Sequence, residues 1–258
     1  MNVIGSFLSL SRSLDFSHQG MMRHHRRTAL IAAKLGVAAG METNELLQLL
    51  QAVLIHDIGV ISWQEKIELQ HLDVQSPWEH CLRGENLLRG NRSLKHLAGV
   101  IASHHDRWAG NNPSGLKGDS IPLHSRIIHL ADRLDVMITD ETSIMNRKDR
   151  IMQTLRDLKG VFFDPELMDL LDDLAKHDSF WLDLVSPWEN YLLDTIVPIS
   201  YIPLQLEYLS DLASLFARVV DAKSPYTYQH SRGVAGLARF IGEQVGLSSA
   251  EVQQLEIA

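Results

Sequence analysis

The run Glu45-Leu46-Leu47-Gln48-Leu49-Leu50-Gln51-Ala52-Val53-Leu54-Ile55-His56-Asp57-Ile58-Gly59 carries two signals at once. Leu46, Leu50 and Val53 recur at i, i+4 and i+7, the spacing of one face of an α-helix. Thr43 or Asn44 can cap its start, and Gly59 sits where a helix stops. Asp57 falls on the same face at i+11, with His56 beside it. An apolar helical face thus ends in an imidazole and a carboxylate, which is a place for chemistry rather than for packing alone.

The same period recurs on both sides of this run. Leu94, Leu97, Ala98 and Ile101 form a second stripe that leads into His104 and His105, and Ile128, Ala131, Asp132 and Asp135 lie along one side of a third. No alternating β-branched run is long enough for a sheet, so the predicted class is all-α. Residues 109–122 hold three glycines and two prolines and read as a loop.

Composition narrows the setting. A chain of 258 residues can bury roughly three quarters of its unfolded surface, as one large domain or two small ones. Cys81 is the only cysteine, so no intrachain disulfide exists and a reducing, cytoplasmic compartment is expected. The net charge of −8 argues against DNA or RNA as partner, although a local cationic pocket for a small anion is compatible with it. The most apolar stretch, residues 191–209, is interrupted by Asp194, Pro198 and Pro203, so no membrane span is expected. Histidine is abundant, at 13.

An internal repeat bears on the domain count. Residues 5–52 align without gaps on residues 211–258, pairing Asp15 with Asp221, His24 with His230, Ala29 with Ala235 and Ala32 with Ala238. The same register pairs Gly36 with Gly242, Gly40 with Gly246, Glu45 with Glu251 and Ala52 with Ala258. The expected organisation is a complete domain over 1–180, a helical connector over 181–210, and the opening two helices of a second such domain over 211–258. That fragment has an apolar face and no core of its own. It must pack on the first domain or on another chain, as in a homodimer.

The histidines and carboxylates fall in an ordered series: His24, His56-Asp57, His80, His104-His105 and Asp132. An imidazole beside a carboxylate can place two donors on one metal, or let the carboxylate bridge two metals. His25 reads as a surface neighbour of His24, and Asp135 as a cap, an ion-pair partner or an acceptor for a ligating histidine. His18, His71, His96, His124, His129 and His177 fall outside the pattern.

The series resembles the HD superfamily of metal-dependent phosphohydrolases, and within it the HD-GYP branch, whose members hydrolyse cyclic dinucleotides. The resemblance covers roughly residues 5–180. It rests on the His56-Asp57-Ile58-Gly59 block, His80 with Gly84, and His104-His105-Asp106-Arg107-Trp108. Further matches are Gly115-Leu116-Lys117-Gly118, Ile121-Pro122-Leu123, Arg126-Ile127, Ala131-Asp132 and Phe163-Asp164-Pro165-Glu166-Leu167. The resemblance implies a helical bundle around a dinuclear metal site. His24, His56, Asp57 and Asp132 would hold the first divalent ion, and Asp57 would bridge to a second held by His80, His104 and His105. Such a mixed nitrogen and oxygen shell suits iron or manganese, with zinc also compatible. His56 and Asp57 would be the catalytic pair, and the substrate a cyclic dinucleotide such as cyclic di-GMP. Some relatives hold a third metal through a glutamate at the position of Gly20, so two ions are expected here.

Three departures bear on turnover. Val60 stands where a lysine usually follows the His-Asp block, the Gly-Tyr-Pro loop is shortened to Ala109-Gly110-Asn111-Asn112-Pro113, and Glu141 lies where a basic residue is expected. Arg83, Arg107, Lys117 and Arg133 are the candidate substitutes for the missing phosphate contacts. Two functions follow: a metal-dependent phosphodiesterase, or a metal-binding, weakly active regulatory module in a tandem signalling protein.

Overall fold

The computed structural model describes residues 3–16, 23–72, 74, 76–138, 144–197, 205–223 and 230–257. The expectations placed on Gly20 and Glu141 lie outside them. The architecture is all-α, as the periodicity predicts, and among the described residues the only β-type pairing is an isolated bridge between Lys159 and Phe163. The helices are α1 (Val3–Phe16), α2 (His24–Ala38), α3 (Thr43–Leu54), α4 (Trp63–Glu68), α5 (Trp78–Arg89), α6 (Ala98–Ala102) and α7 (Leu123–Val136). They continue as α8 (Lys148–Arg156), α9 (Pro165–Ala175), α10 (Asp178–Val185), α11 (Glu189–Ile196), α12 (Leu206–Lys223), α13 (His230–Gln244) and α14 (Ser249–Ile257). None of these described helices is long and apolar enough to cross a membrane.

The centre of the bundle is α2. Ala29, Leu30, Ile31, Ala32, Ala33 and Leu35 are all buried, and the helix touches α1, α3, α7, α9 and α11. Its alanines let neighbouring backbones approach closely, while the leucines of α3 and α7 fill the intervening space. The predicted stripe of α3 is buried, Leu46, Leu50 and Val53 included. Its cap differs from expectation: the helix begins at Thr43 itself, and Glu42 forms a reciprocal capping box with Glu45, whose side chain accepts the Glu42 N–H at 2.9 Å. Glu42 has an extended backbone and a carboxylate long enough to reach back, so the negotiation of the first turn moves one residue upstream of Thr43.

The connector does not stand apart from the first domain. Leu184 of α10, Leu193 of α11 and Val197 join the same core, as do Leu212, Leu215 and Val219 of α12. α12 docks on α5 and on the turn that follows it through polar contacts as well. Asp211 Oδ2 accepts the Ser93 N–H at 3.1 Å, its carbonyl accepts from Asn91 Nδ2 at 2.7 Å, and Arg218 donates to the Leu87 carbonyl at 3.2 Å.

Three helices rather than two make up the repeated segment, and their geometry follows the sequence register. α2 and α13 are both 15 residues long and begin at His24 and His230; α3 and α14 begin at Thr43 and Ser249. A Cβ placed on Gly36 would lie 2.7–3.1 Å from Leu46, Met41 and Leu49, and one on Gly242 would lie 3.2–3.4 Å from Leu255, Leu247 and Val252, the residues at the same offset. In both copies the missing side chain allows the helix pair to close. The copies differ in what covers them: α2 is buried, whereas Val234, Leu237, Phe240 and Ile241 of α13, and Val245 just beyond it, are exposed.

Candidate metal centre

The His-Asp dipeptide sits just beyond α3. After Leu54 the chain runs through consecutive turns to Gly59, with Ile55 and Ile58 buried on either side of the pair. Gly59 is fixed by what lies against it: a Cβ there would fall 2.0 Å from the His80 carbonyl oxygen and 2.5 Å from the Gly84 nitrogen. Only the absence of a side chain lets this turn press on α5, and that contact brings His80 to Asp57. A second such turn follows α6 and presents His104 and His105. His24 is the first residue of α2, and Asp132 lies on the inner face of α7.

All seven residues of the predicted ligand set are buried and meet at one place. Asp57 divides its carboxylate between two groups of histidines. Oδ2 lies 3.3 Å from His56 Nε2 and 3.5 Å from His24 Nε2, whereas Oδ1 lies 3.3 Å from His80 Nε2 and 4.0 Å from His104 Nε2. Asp132 faces the first group through Oδ1, 3.5 Å from His24 Nε2 and 3.7 Å from His56 Nε2, and reaches the second through Oδ2, 3.9 Å from His105 Nε2. Two clusters of donors result, His24-His56-Asp57 and Asp57-His80-His104-His105, each with its donor atoms within 4.8 Å of one another.

The outer nitrogens explain the orientation of the inner ones. His56 Nδ1 donates to the Val53 carbonyl at 2.7 Å, His104 Nδ1 to the Ile101 carbonyl at 2.7 Å, and His24 Nδ1 to Asp135 Oδ2 at 2.7 Å. Each ring then turns an Nε2 lone pair toward the centre, the arrangement that metal-ligating histidines adopt. His24 and His56 bring these lone pairs within 3.3 Å of each other beside two carboxylates. That juxtaposition is stable only with a cation or a proton between them. His105 Nε2 is buried without a hydrogen-bond partner, a further donor aimed at the same place. The residues present fit divalent metal.

Titration behaviour divides the site in two. Burial would lower His56, but Asp57 and Asp132 outweigh it and raise it to about 10. Burial opposes ionisation of Asp57 and Asp132 as well, yet His56 and Lys66 hold Asp57, and Arg133 with His56 holds Asp132, well below the usual carboxylate range. His104 and His105 go the other way: burial first, and then the His56 side chain beside His104 and the Arg133 guanidinium beside His105, push both far below the ordinary imidazole value, so they present neutral nitrogens.

Several residues around the cluster were not predicted for it. His25, expected at the surface, is buried, because α1 covers that side of α2; its Nδ1 pairs with Asp15, and its ring lies 5.0 Å from that of His56. His129, one turn before Asp132 on α7, packs edge-on against His105 with ring centroids 5.6 Å apart. Adjacent and one-turn histidines look incidental in a sequence, since whether they point inward depends on which helix covers them. Asp15 had one usable signal, its repetition at Asp221. Asp135 takes the role of acceptor for a ligating histidine, and Arg27 pairs with its other oxygen.

The four substrate candidates are placed differently. Arg133 is buried and spends its guanidinium on Asp132 and on the carbonyls of Leu69 and His71. Arg83 pairs with Glu65 and donates to the Gly59 carbonyl at 2.8 Å. Arg107 lies over the Phe162 and Trp78 rings, at 4.3 and 5.9 Å from their centroids. Lys117 is exposed on the 109–122 loop, which Asn112 pins by accepting from the Arg107 N–H and donating to the Arg107 and Leu116 carbonyls. Val60 is buried.

Comparison with known proteins places the chain among relatives of similar sequence and fold. The chain is 32% identical over 173 residues to the 3'3'-cGAMP-specific phosphodiesterase 3 of Vibrio cholerae, a match covering 66% of this chain and 36% of that protein. It is 26% identical over 261 residues to phosphodiesterase 1 of the same organism, covering 96% and 59%, and 28% identical over 165 residues to a cyclic di-GMP phosphodiesterase of Thermotoga maritima, covering 60% and 44%. The chain thus spans between about a third and three fifths of the length of these curated relatives. A crystal structure of a cyclic GMP-AMP-specific phosphodiesterase of V. cholerae superposes with a TM-score of 0.72 at 25% identity, covering 99% of this chain and 69% of that one. Residues 9–167 match the HD domain profile, more than half of the chain, and with the histidine and aspartate cluster built as described, the protein belongs to the HD domain family.

Proposed function

We propose that the chain is a metal-dependent phosphodiesterase that hydrolyses a cyclic dinucleotide. The observation that carries this reading is the division of Asp57, one oxygen toward His24 and His56 and the other toward His80 and His104. His24, His56, Asp57 and Asp132 would hold one divalent ion, and Asp57, His80, His104 and His105 a second, with iron or manganese favoured and zinc compatible. Such a pair, when bound, activates water at neutral pH and stabilises charge at phosphorus during in-line displacement. The protein's own contribution is placement. Val53 and Ile101 carbonyls fix His56 and His104, Asp135 fixes His24, and Arg133 fixes Asp132, so the ring and carboxylate orientations are set by the fold itself. The names of the relatives, cGAMP-specific and cyclic di-GMP phosphodiesterases, support the substrate class.

Hydrolysis of bis-p-nitrophenyl phosphate and of a panel of cyclic dinucleotides by chelator-free protein, with Asp57→Ala as control, tests this reading. Metal content measured on the same samples separates an empty site from an inactive one.

A second reading, a metal-binding regulatory module with little turnover, is favoured by one observation: three of the four arginine and lysine candidates are engaged with protein partners, and Val60 is buried and apolar. In this reading residues 211–258 open a second domain of the same kind, which the matching geometry of α2–α3 and α13–α14 supports. Bound metal and bound cyclic dinucleotide without hydrolysis would favour it over the enzyme.

A further inference from the structure

Lys66 is almost fully buried, 4% exposed, and its ammonium rests on Asp57 Oδ2, the same oxygen that faces His24 and His56. A buried ammonium is tolerated only when paired, so this contact is a built feature of the site rather than a surface accident. The backbone beneath it is anchored. Ser62 Oγ accepts the Glu65 N–H at 3.2 Å, Glu65 accepts the Ile61 N–H at 3.2 Å, and Arg83 ties Glu65 to the Gly59 carbonyl. The lysine side chain above this anchor keeps four rotatable carbons. It lines a narrow cleft with His24, Asp57, Gln70, Asp132 and Arg133.

A divalent ion between His24, His56 and Asp57 and an ammonium on Asp57 Oδ2 are like charges sharing one oxygen, and the interior screens their repulsion poorly. The ammonium must therefore yield when the ion enters. Its stem keeps it in the cleft, where an anionic oxygen drawn to the ion is the partner at hand. Arg133, the other cation there, already donates to Asp132 and two backbone carbonyls. We propose that Lys66 competes with divalent metal for Asp57 Oδ2 in the His24-His56-Asp57 half-site and, once displaced, is the cation that binds substrate phosphate there. The inference rests on the metal reading above, and it gives the site a phosphate contact that Val60 does not supply.

The test uses the full chain as wild type, Lys66→Met and Lys66→Arg, with circular dichroism confirming the fold of each. Free Mn2+ is followed by electron paramagnetic resonance during titration, and binding of inorganic phosphate to the Mn2+-loaded proteins is measured by calorimetry. Lys66→Met is expected to bind one Mn2+ equivalent about tenfold more tightly with the other unchanged, and to bind phosphate about tenfold more weakly. Lys66→Arg is expected to recover phosphate binding. Equal Mn2+ isotherms for wild type and Lys66→Met, or unchanged phosphate binding, would overturn the Lys66 inference alone. Folded wild type and Lys66→Met that both fail to take up Mn2+ would overturn it together with the metal reading.

Discussion

His24 Nδ1 donates to Asp135 Oδ2 at 2.7 Å, one helical turn beyond Asp132 on α7. The bond joins the first residue of α2 to the inner face of α7 and decides which nitrogen of His24 faces the cluster. Asp135 also pairs with Arg27, which donates in turn to the Ile138 carbonyl at 3.1 Å. The carboxylate is therefore held from both sides. Asp135→Ala is expected to weaken binding at the His24-His56-Asp57 half-site by about 10- to 100-fold, the usual cost of losing such an outer partner. Mn2+ titration resolves it, and an unchanged isotherm would remove Asp135 from the site.

Asp57 and His80 are expected to give different stoichiometries. Asp57→Ala removes the residue common to both clusters and should abolish tight binding of both ions. His80→Ala removes a donor from one cluster and should leave one equivalent bound. Metal analysis after dialysis distinguishes them, and retention of two equivalents by Asp57→Ala would exclude the shared-carboxylate arrangement.

Metal uptake should depend on pH with a definite sign. His56 is raised to about 10 against the pull of burial, so at neutral pH a proton occupies the nitrogen a metal must take. Affinity at that half-site should rise with pH toward about 10 and fall by at least about tenfold per unit as pH drops below it, because His24, also raised, adds a second proton to be displaced. The His104 and His105 half-site, held neutral, should show little of this dependence between pH 6 and 9. Titrations across that interval should show one steep and one shallow equivalent.

Acid should unfold the protein early. Burial pushes His25 to about 4 and His129 to about 3, and holds His104 and His105 far below their ordinary value. The unfolded chain binds these protons from about pH 6.5 downward while the folded one does not, so stability is lost as pH falls through that value. The slope is about 1.4 kcal/mol per pH unit for each such group. His24 and His56, whose values are raised, are protonated in both states below pH 6.5 and do not offset it. Urea unfolding at pH 7.5, 6 and 5 checks the direction, and His129→Leu should reduce the slope by one proton.

Gly59→Ala should be among the most damaging single-methyl additions in the chain. The new Cβ would meet the backbone of α5 at His80 and Gly84, which cannot yield as a side-chain end would. A loss of about 1–3 kcal/mol is expected, with weaker metal binding because the His80 and Asp57 positions separate. Equal stability in urea with an unchanged Mn2+ isotherm would show that the turn is not a fixed point.

The helical period of residues 45–54, the ordered series of histidines and aspartates, and the register that repeats His24 at His230 are properties of the chain as a string. They sufficed for the all-α class, because spacing along a helix fixes which residues share a face, whereas the seven residues that meet at the centre were named by the resemblance to the HD superfamily that their order along the chain carries. Partnership across helices is a different matter. That Asp135 orients His24, that α1 buries His25 against Asp15, that Arg133 is spent on Asp132, and that Lys66 rests on Asp57 each depend on how separate helices pack. Local periodicity carries no information about that. The same limit applies to the connector, whose helical pattern was legible although its membership of the first core was not: Leu193 and Val197 look like any amphipathic stripe until α2 is laid against them.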